Sequence, residues 1–340
     1  MKIWQRSCIL KQNKKLTFPL LVLLLAAVAV LSLCLGAESL PIGATLRDLL
    51  TGADTTPVRI VRFMRLPRTC AGLLAGAALA ASGAMVQGVL ANSLAAPSTI
   101  GVNAGAGLAV ALFCAAAPGA VALVPFAALL GAFGGVMLVM VIARHTSASR
   151  ITLVLAGVAV SGIFSAGIDA VVTLVPDALD GYSDFRIGGL AGIVSLERLV
   201  PALILIALAL LIAMSLHNEL DVLMLGTEQA QSLGLPAKQL RLVFLALSAV
   251  LAGAAVSFCG LIGFVGLIVP HMMRQLVGEE SGPLLCASAL GGAIVLCGCD
   301  LLARLIFAPY ELPVGIVMSL AGGPFFIWLL RKKGGRGRRD

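Results

Sequence analysis

Ten apolar stretches, most of them about twenty residues long, divide this 340-residue chain and hold almost no charge. They lie near residues 16–36, 66–90, 98–117, 121–142, 151–175, 199–216, 240–260, 262–277, 284–306 and 313–331. A stretch of that length crosses the roughly 30 Å hydrocarbon core as a helix, and inside lipid only helices and closed barrels satisfy their own backbone. The sequence therefore predicts an all-α polytopic membrane protein with ten transmembrane helices, forming one domain over residues 1–340. A composition that is 60% hydrophobic and 12% charged excludes an ordinary soluble fold. The eighth stretch is short, contains Gly263, Gly266 and Pro270, and follows the seventh almost without a loop. A broken helix there is tolerated only under a cover of protein.

The segment LAGAALAASG at 74–83 returns as LAGAAVSFCG at 251–260, with six of ten positions identical. Such an echo is what an internally duplicated transporter leaves. Five crossings separate the copies, so the repeat is predicted to be inverted, with a first half over 16–175 and a second over 199–331. Gly72-xxx-Gly76, Gly101-xxx-Gly105, Gly131-xxx-Gly135 and Gly188-xxx-Gly192 supply small surfaces on which helix backbones can approach closely. They are packing signals without chemical meaning.

Positive charge gathers at the two ends, at Lys2, Arg6, Lys11, Lys14 and Lys15 and at Arg331, Lys332, Lys333, Arg336, Arg338 and Arg339. Clusters of this kind keep membrane ends in the cytoplasm, and with both termini inside, Lys and Arg are more frequent in the inner loops than in the outer ones. The basic balance thus points to membrane lipid and not to nucleic acid. A bulky residue in Leu35-Gly36-Ala37 argues against signal-peptide cleavage, so the first stretch is read as an uncleaved span. Most of the eight cysteines fall in apolar segments, where a thiol behaves as a small hydrophobe, and no disulfide framework or metal site is indicated.

Three features stand out against this background. Arg59, Arg62, Arg65 and Arg68 break the charge rule in the outer loop before the second span, which predicts an acidic partner on that side. The polar stretch His217 to Gln239 is expected in the cytoplasm. Within it Thr227 suits an N-cap, Glu228 the helix start and Gly234 an αL stop, and Pro236 forbids continuation, so one short exposed helix is predicted. Ionisable residues inside the spans are few: Asp169, His271, Asp300 and Arg304. Asp300 and Arg304 are four apart on one helix and can pair, whereas Asp169 has no evident partner in its own segment. No G-x-x-x-x-G-K-[ST] occurs, so ATP and its Mg must belong to another chain, and no cofactor is expected on this one.

Arg65-Leu66-Pro67-Arg68, followed by Gly76-Ala77-Ala78, Ser82-Gly83, Gln87, Asn92 and Pro97, resembles the FecCD-type permeases of ABC importers for iron-siderophore, haem and cobalamin. The resemblance continues through Leu225-Gly226-Thr227-Glu228, Ser232-Leu233-Gly234, the stretch from Gly260 to His271, Asp300 to Arg304, Glu311 to Gly315 and Pro324 to Trp328. It implies the ten-span fold of a type II importer permease in a prokaryotic inner membrane. It also implies a dimer with a second permease subunit, two ABC ATPase subunits and an extracytoplasmic substrate-binding protein. On the same ground Arg65, Arg68 and Arg304 are expected to receive glutamates of the binding protein. Gly226, Thr227, Glu228, Gln229, Ser232, Leu233 and Gly234, within 217–239, are expected to form the coupling helix on the ATPase. Gln229 stands where relatives often carry a second acid. The fifth and tenth spans would line the path, with Gly315, Gly322 and Gly323 keeping the tenth slim. The uncharged family norm leaves Asp169 unexplained, and it is read as facing that path.

Iron-siderophore is the expected cargo, with haem and cobalamin as alternatives. An ion-coupled secondary transporter would need a chain of buried acids or histidines at mid-membrane, and an intramembrane hydrolase a Ser/His or paired-Asp site. Neither pattern is present in the sequence.

Overall fold

The computed structural model describes residues 2–36, 38, 40–146, 150–192, 195–306 and 308–334, and among these the chain forms helices and connecting turns without a strand. In chain order the α-helices are α1 (Lys2–Cys34), α2 (Ile42–Thr51), α3 (Thr56–Ile60), α4 (Leu66–Leu90), α5 (Val102–Ala116), α6 (Val124–Thr146), α7 (Arg150–Leu174) and α8 (Ala178–Ile187). They continue as α9 (Val200–Ser215), α10 (His217–Leu225), α11 (Thr227–Ser232), α12 (Ala237–Cys259), α13 (Val265–Val277), α14 (Ser281–Ile306) and α15 (Val314–Gly334). The ten expected crossings correspond to α1, α4, α5, α6, α7, α9, α12, α13, α14 and α15. Seven stretches are long and apolar enough to cross a membrane, and α5 and α15 are shorter apolar helices. The basic residues Arg336, Arg338 and Arg339 lie outside the described residues.

The eighth crossing is short, as expected, but Gly266 and Pro270 lie inside its helix and do not break it. At 1.5 Å per residue the 13 residues of α13 reach only about 20 Å, short of the hydrocarbon thickness. Leu261 to Gly263, between α12 and α13, lie outside any helix, with Gly260 (φ 72) and Phe264 (φ 67) at positive φ on either side. Protein surrounds the start of α13: Val265, Gly266, Val269 and Pro270 are buried, and Gln87 on α4 donates through Nε2 to the Gly266 and Leu267 carbonyls at 3.4 and 3.3 Å. Arg274 holds the other end of the same amide, donating to Gln87 Oε1 at 3.0 Å.

The duplicated segments occupy the centre. α4 packs on α14, α12 packs on α6, and α4 and α12 cross each other, so each half buries its echo helix in the other half. Gly76 of the first copy and Gly253 of the second hold equivalent places. A Cβ on Gly76 would run into the Gly292 carbonyl of α14, and one on Gly253 would come within 3.0 Å of the Ala132 Cβ on α6. At the crossing Ser82 Oγ donates to the Ser248 carbonyl at 2.8 Å, and Ser248 Oγ returns a longer bond to the Ser82 carbonyl at 3.5 Å. Small residues make this possible, since lipid offers helices no hydrophobic reason to associate and close backbone contact must hold them.

Two local differences from the sequence reading matter for function. The arginine-bearing stretch before α4 is not a loop: α3 continues through a π-turn, Val61–Arg65, directly into α4. The wider turn shifts the helix phase, leaving Arg59 and Arg62 exposed while Arg65 and Arg68 turn inward. The stretch between α7 and α9 also contains α8, whose Ala178, Tyr182 and Phe185 are buried at i, i+4 and i+7.

Candidate functional site

At the arginine end of the bundle, α4, α14 and the end of α1 bring Arg65, Arg68 and Arg304 together, all three buried (5%, 8% and 2% exposed). Asp300, itself 2% exposed, sits between two of them. Its carboxylate accepts from Arg68 Nε and Nη2 at 2.9 to 3.1 Å and pairs with Arg304 Nε at 3.1 Å. Arg68 Nη1 also reaches Glu311 Oε2 at 2.5 Å. Arg304 Nη2 donates to Ser32 Oγ at 2.7 Å, and Ser32 Oγ in turn bonds Thr69 Oγ1 at 2.8 Å. Arg65 caps the end of α1, donating to the carbonyls of Leu33, Cys34 and Glu38 at 2.6 to 3.0 Å.

The three arginines expected to meet the binding protein are thus buried and already engaged within the chain. Low-dielectric surroundings make an unpaired guanidinium too costly, so each has been given internal acceptors. The pairing of Asp300 with Arg304 along one helix is as expected, while Arg68 and Glu311 arrive from segments far away in sequence. Arg59 and Arg62 do face solvent. Arg59 makes a two-point pair with Asp54 at 2.8 and 2.5 Å, and that hydrogen bond holds the Asp54 carboxyl below the usual carboxylate range, with the charges of Arg59 and Arg62 acting in the same direction.

A recess of about 1120 Å³ opens beside this cluster. Arg68 and Glu311 line it on one side, and Asp177 at the N-cap of α8, Asp180 and Asp184 within it, and Arg198 line it elsewhere. The α8 wall was missed in the sequence because its acids obscured the apolar Ala178–Tyr182–Phe185 stripe, which was the signal available. The end of α8 joins the two halves: Gly189 N donates to the Cys259 carbonyl, Leu261 N to the Phe185 carbonyl and Gly315 N to the Gly188 carbonyl, at 2.9, 2.9 and 3.1 Å.

At the opposite end, residues 217–239 hold two helices instead of the single one expected. α10 buries Leu220 and Leu223, and α11 follows after one residue. Gly226 (φ 134) is the N-cap and Thr227 the first helical residue, because the sharp turn out of α10 needs a backbone that Thr cannot readily adopt. Thr227 Oγ1 instead accepts from buried Arg241 of α12 at 2.7 Å. Gly234 takes the left-handed stop expected of it (φ 81), with Leu235 N returning to the Ala230 carbonyl at 3.0 Å. Ala230 anchors the turn, while Glu228, Gln229, Ser232, Leu233 and Gly234 are exposed. Leu225 and Leu233 stand 64% and 65% exposed at its rim. Arg150, the first residue of α7, was missed; its Nη2 donates to the Leu223 and Met224 carbonyls at the end of α10, at 2.9 and 3.5 Å.

Between the two ends, α7 buries only Leu153, Ala156, Gly157 and Val160. Asp169 is on its exposed face, in a cleft of about 490 Å³ that also takes in Ser165, Thr173, Tyr182 and Arg186. Ser165, Asp169 and Thr173 recur at i, i+4 and i+8, a polar line along the second half of a largely apolar helix. Gly315 and Gly322 are buried instead of lining open space. A Cβ on Gly315 would meet the Ile187 carbonyl, and one on Gly322 the ring of Phe264, so their missing side chains admit neighbouring protein. Of the three glycines expected along that helix, Gly323 alone has nothing within 4 Å of a Cβ position. Among the described residues no group of His, Cys, Asp and Glu could hold a metal ion.

Comparison with known proteins adds the family. A profile of the FecCD transport family matches residues 23–332. The Fe(3+)-citrate import system permease protein YfmE of Bacillus subtilis is 37% identical over 329 residues, covering 94% of this chain and 98% of that one. The hemin transport system permease protein HmuU of Yersinia pestis is 36% identical, covering 94% and 96%. Among solved structures, an inward-facing metal-chelate type ABC transporter superposes with a TM-score of 0.83 at 31% identity, covering 94% of this chain and 99% of that one. A match over nearly the whole length, on an all-helical permease fold, means that this chain belongs to the FecCD transport family.

Proposed function

We propose that this chain is the membrane-spanning subunit of an ATP-driven importer, moving an iron-siderophore across a prokaryotic inner membrane by alternating access. It works with a second permease subunit, two ATPase subunits that bind ATP and Mg, and an extracytoplasmic binding protein. Both of its termini face the cytoplasm. The observation that carries this reading is the separation of two polar ends: a large recess lined by Arg68, Arg198, Glu311 and the acids at 177, 180 and 184, beside exposed Arg59 and Arg62, at one, and the exposed 225–234 turn, anchored by Arg150 and Arg241, at the other. Arg59 and Arg62, with Arg68 reached through the recess, receive the binding protein's acids. Residues 226–234 seat on the ATPase through Leu225, Leu233 and the polar tip. The polar line through Asp169 faces the path, since an aspartate left against lipid costs about 3 kcal/mol on insertion scales.

Iron-siderophore cargo is supported by relatives named for Fe(3+)-citrate, hemin, Fe(3+)-hydroxamate and ferric enterobactin, which share iron held in an organic shell. The test is reconstitution of the permease in proteoliposomes with its ATPase and binding protein, followed by uptake of radioiron as hydroxamate, catecholate, citrate and haem complexes. ATP-dependent uptake of a siderophore complex is expected. Uptake without an ATPase, driven by a proton or sodium gradient, would overturn the assignment.

A further inference from the structure

Arg68 holds two carboxylates of unequal standing. Asp300 meets two nitrogens along one edge of the guanidinium, is shared with Arg304 and is 2% exposed, so nothing from outside can replace it without opening the bundle. Glu311 meets a single nitrogen, Nη1, and its side chain is 34% exposed. It also lies in the connection between α14 and α15, three residues before Val314. Arg68 and Glu311 both line the open recess, so the edge of Arg68 that Glu311 occupies is the edge a carboxylate entering from solvent would reach.

We propose that Glu311 is an internal stand-in for an acidic side chain of the docking partner, and that exchange of the two on Arg68 releases the start of α15. The inference rests on the reading that an acidic binding protein docks at this end. One carboxylate replaces another, so the charge on the cluster is unchanged and no guanidinium is stripped bare during the exchange. A direct approach to an unoccupied buried arginine would lack that advantage. Once Glu311 leaves, the connection retains two weaker ties, Leu312 N to the Ala303 carbonyl at 3.4 Å and Gly315 N to the Gly188 carbonyl at 3.1 Å. Docking is thereby linked to the freedom of a helix on the proposed path.

The exchange has an unusual sign that tests it. Glu311→Gln keeps the shape and removes the competing charge, so full-length permease in nanodiscs should bind the extracytoplasmic binding protein about fivefold more tightly than wild type. Glu311→Asp, which keeps the charge, should stay near wild-type affinity. A spin label at Tyr310→Cys, introduced without the other cysteines, should become more mobile when the binding protein is added to wild type and should be mobile from the outset in Glu311→Gln. Equal or weaker binding by Glu311→Gln, with wild-type binding intact, would overturn the exchange. Absence of binding by wild-type permease would overturn the docking reading instead.

Discussion

Asp300→Asn tests whether the buried charge cluster holds the arginine end together. The cluster contains three guanidiniums, Arg65, Arg68 and Arg304, against two carboxylates, Asp300 and Glu311. Asp300 is the one placed to neutralise two cations at once, at 2.9 and 3.1 Å, behind a surface that water barely reaches. Asparagine preserves the shape and one acceptor but leaves Arg68 and Arg304 facing each other across a neutral amide. Removing one partner of a buried pair costs about 3–5 kcal/mol, chiefly because the remaining charge is desolvated and uncompensated. For a chain of this size that corresponds to a fall in Tm of roughly 4–7 °C. The assay is thermal unfolding of purified permease in detergent, followed by tryptophan fluorescence. Adding Arg304→Met to Asp300→Asn removes one of the two stranded cations and should recover part of the loss, a non-additive result. A single variant within about 1 °C of wild type, or a double variant that simply sums two losses, would refute the argument.

Two further outcomes follow from the other sites. Asp169→Asn should change the uptake rate or the preference among iron chelates without lowering protein abundance; unchanged uptake across the panel of chelates, or crosslinking of this position to lipid, would count against a path-facing role. Arg150→Gln removes the cation from the end of α10, worth about 1 kcal/mol at a helix C-terminus, and should reduce transport per ATP hydrolysed while leaving ATPase association detectable. Arg150→Lys should retain part of the coupling, and full coupling in Arg150→Gln would show that the tie is only structural.

The crossings were legible because their cause is local. Each must hide its own backbone from lipid, and that demand writes itself as about twenty apolar residues wherever a span occurs. The left-handed stop at Gly234 was legible for the same reason, since one residue decides it. The echo at 74–83 and 251–260 pointed to the two helices that cross at the centre, although only the packing revealed that each buries its glycine against the opposite half. The cap at Gly226 was mistaken for Thr227 because both residues satisfy the same short pattern. What separated them was the turn out of α10, a helix that the polar sequence had hidden.

The sequence by itself determined an all-helical membrane chain, the places of its apolar helices and the positions of its few charges. Tertiary structure alone decided which of those charges remain available. Arg65 and Arg68 look the same in sequence as Arg59 and Arg62, three residues apart in each case, yet one π-turn directs the first pair inward and leaves the second in solvent. Asp300 could be matched with Arg304 by helical spacing, but its bond to Arg68 joins residues 232 positions apart. Gly315 and Gly322 looked like slim walls of a path until the Ile187 carbonyl and the Phe264 ring were found filling the space they leave. Helical periodicity is a property of neighbours along the chain, whereas the partner of a buried charge and the neighbour of a missing side chain are fixed by whatever the rest of the bundle brings beside them.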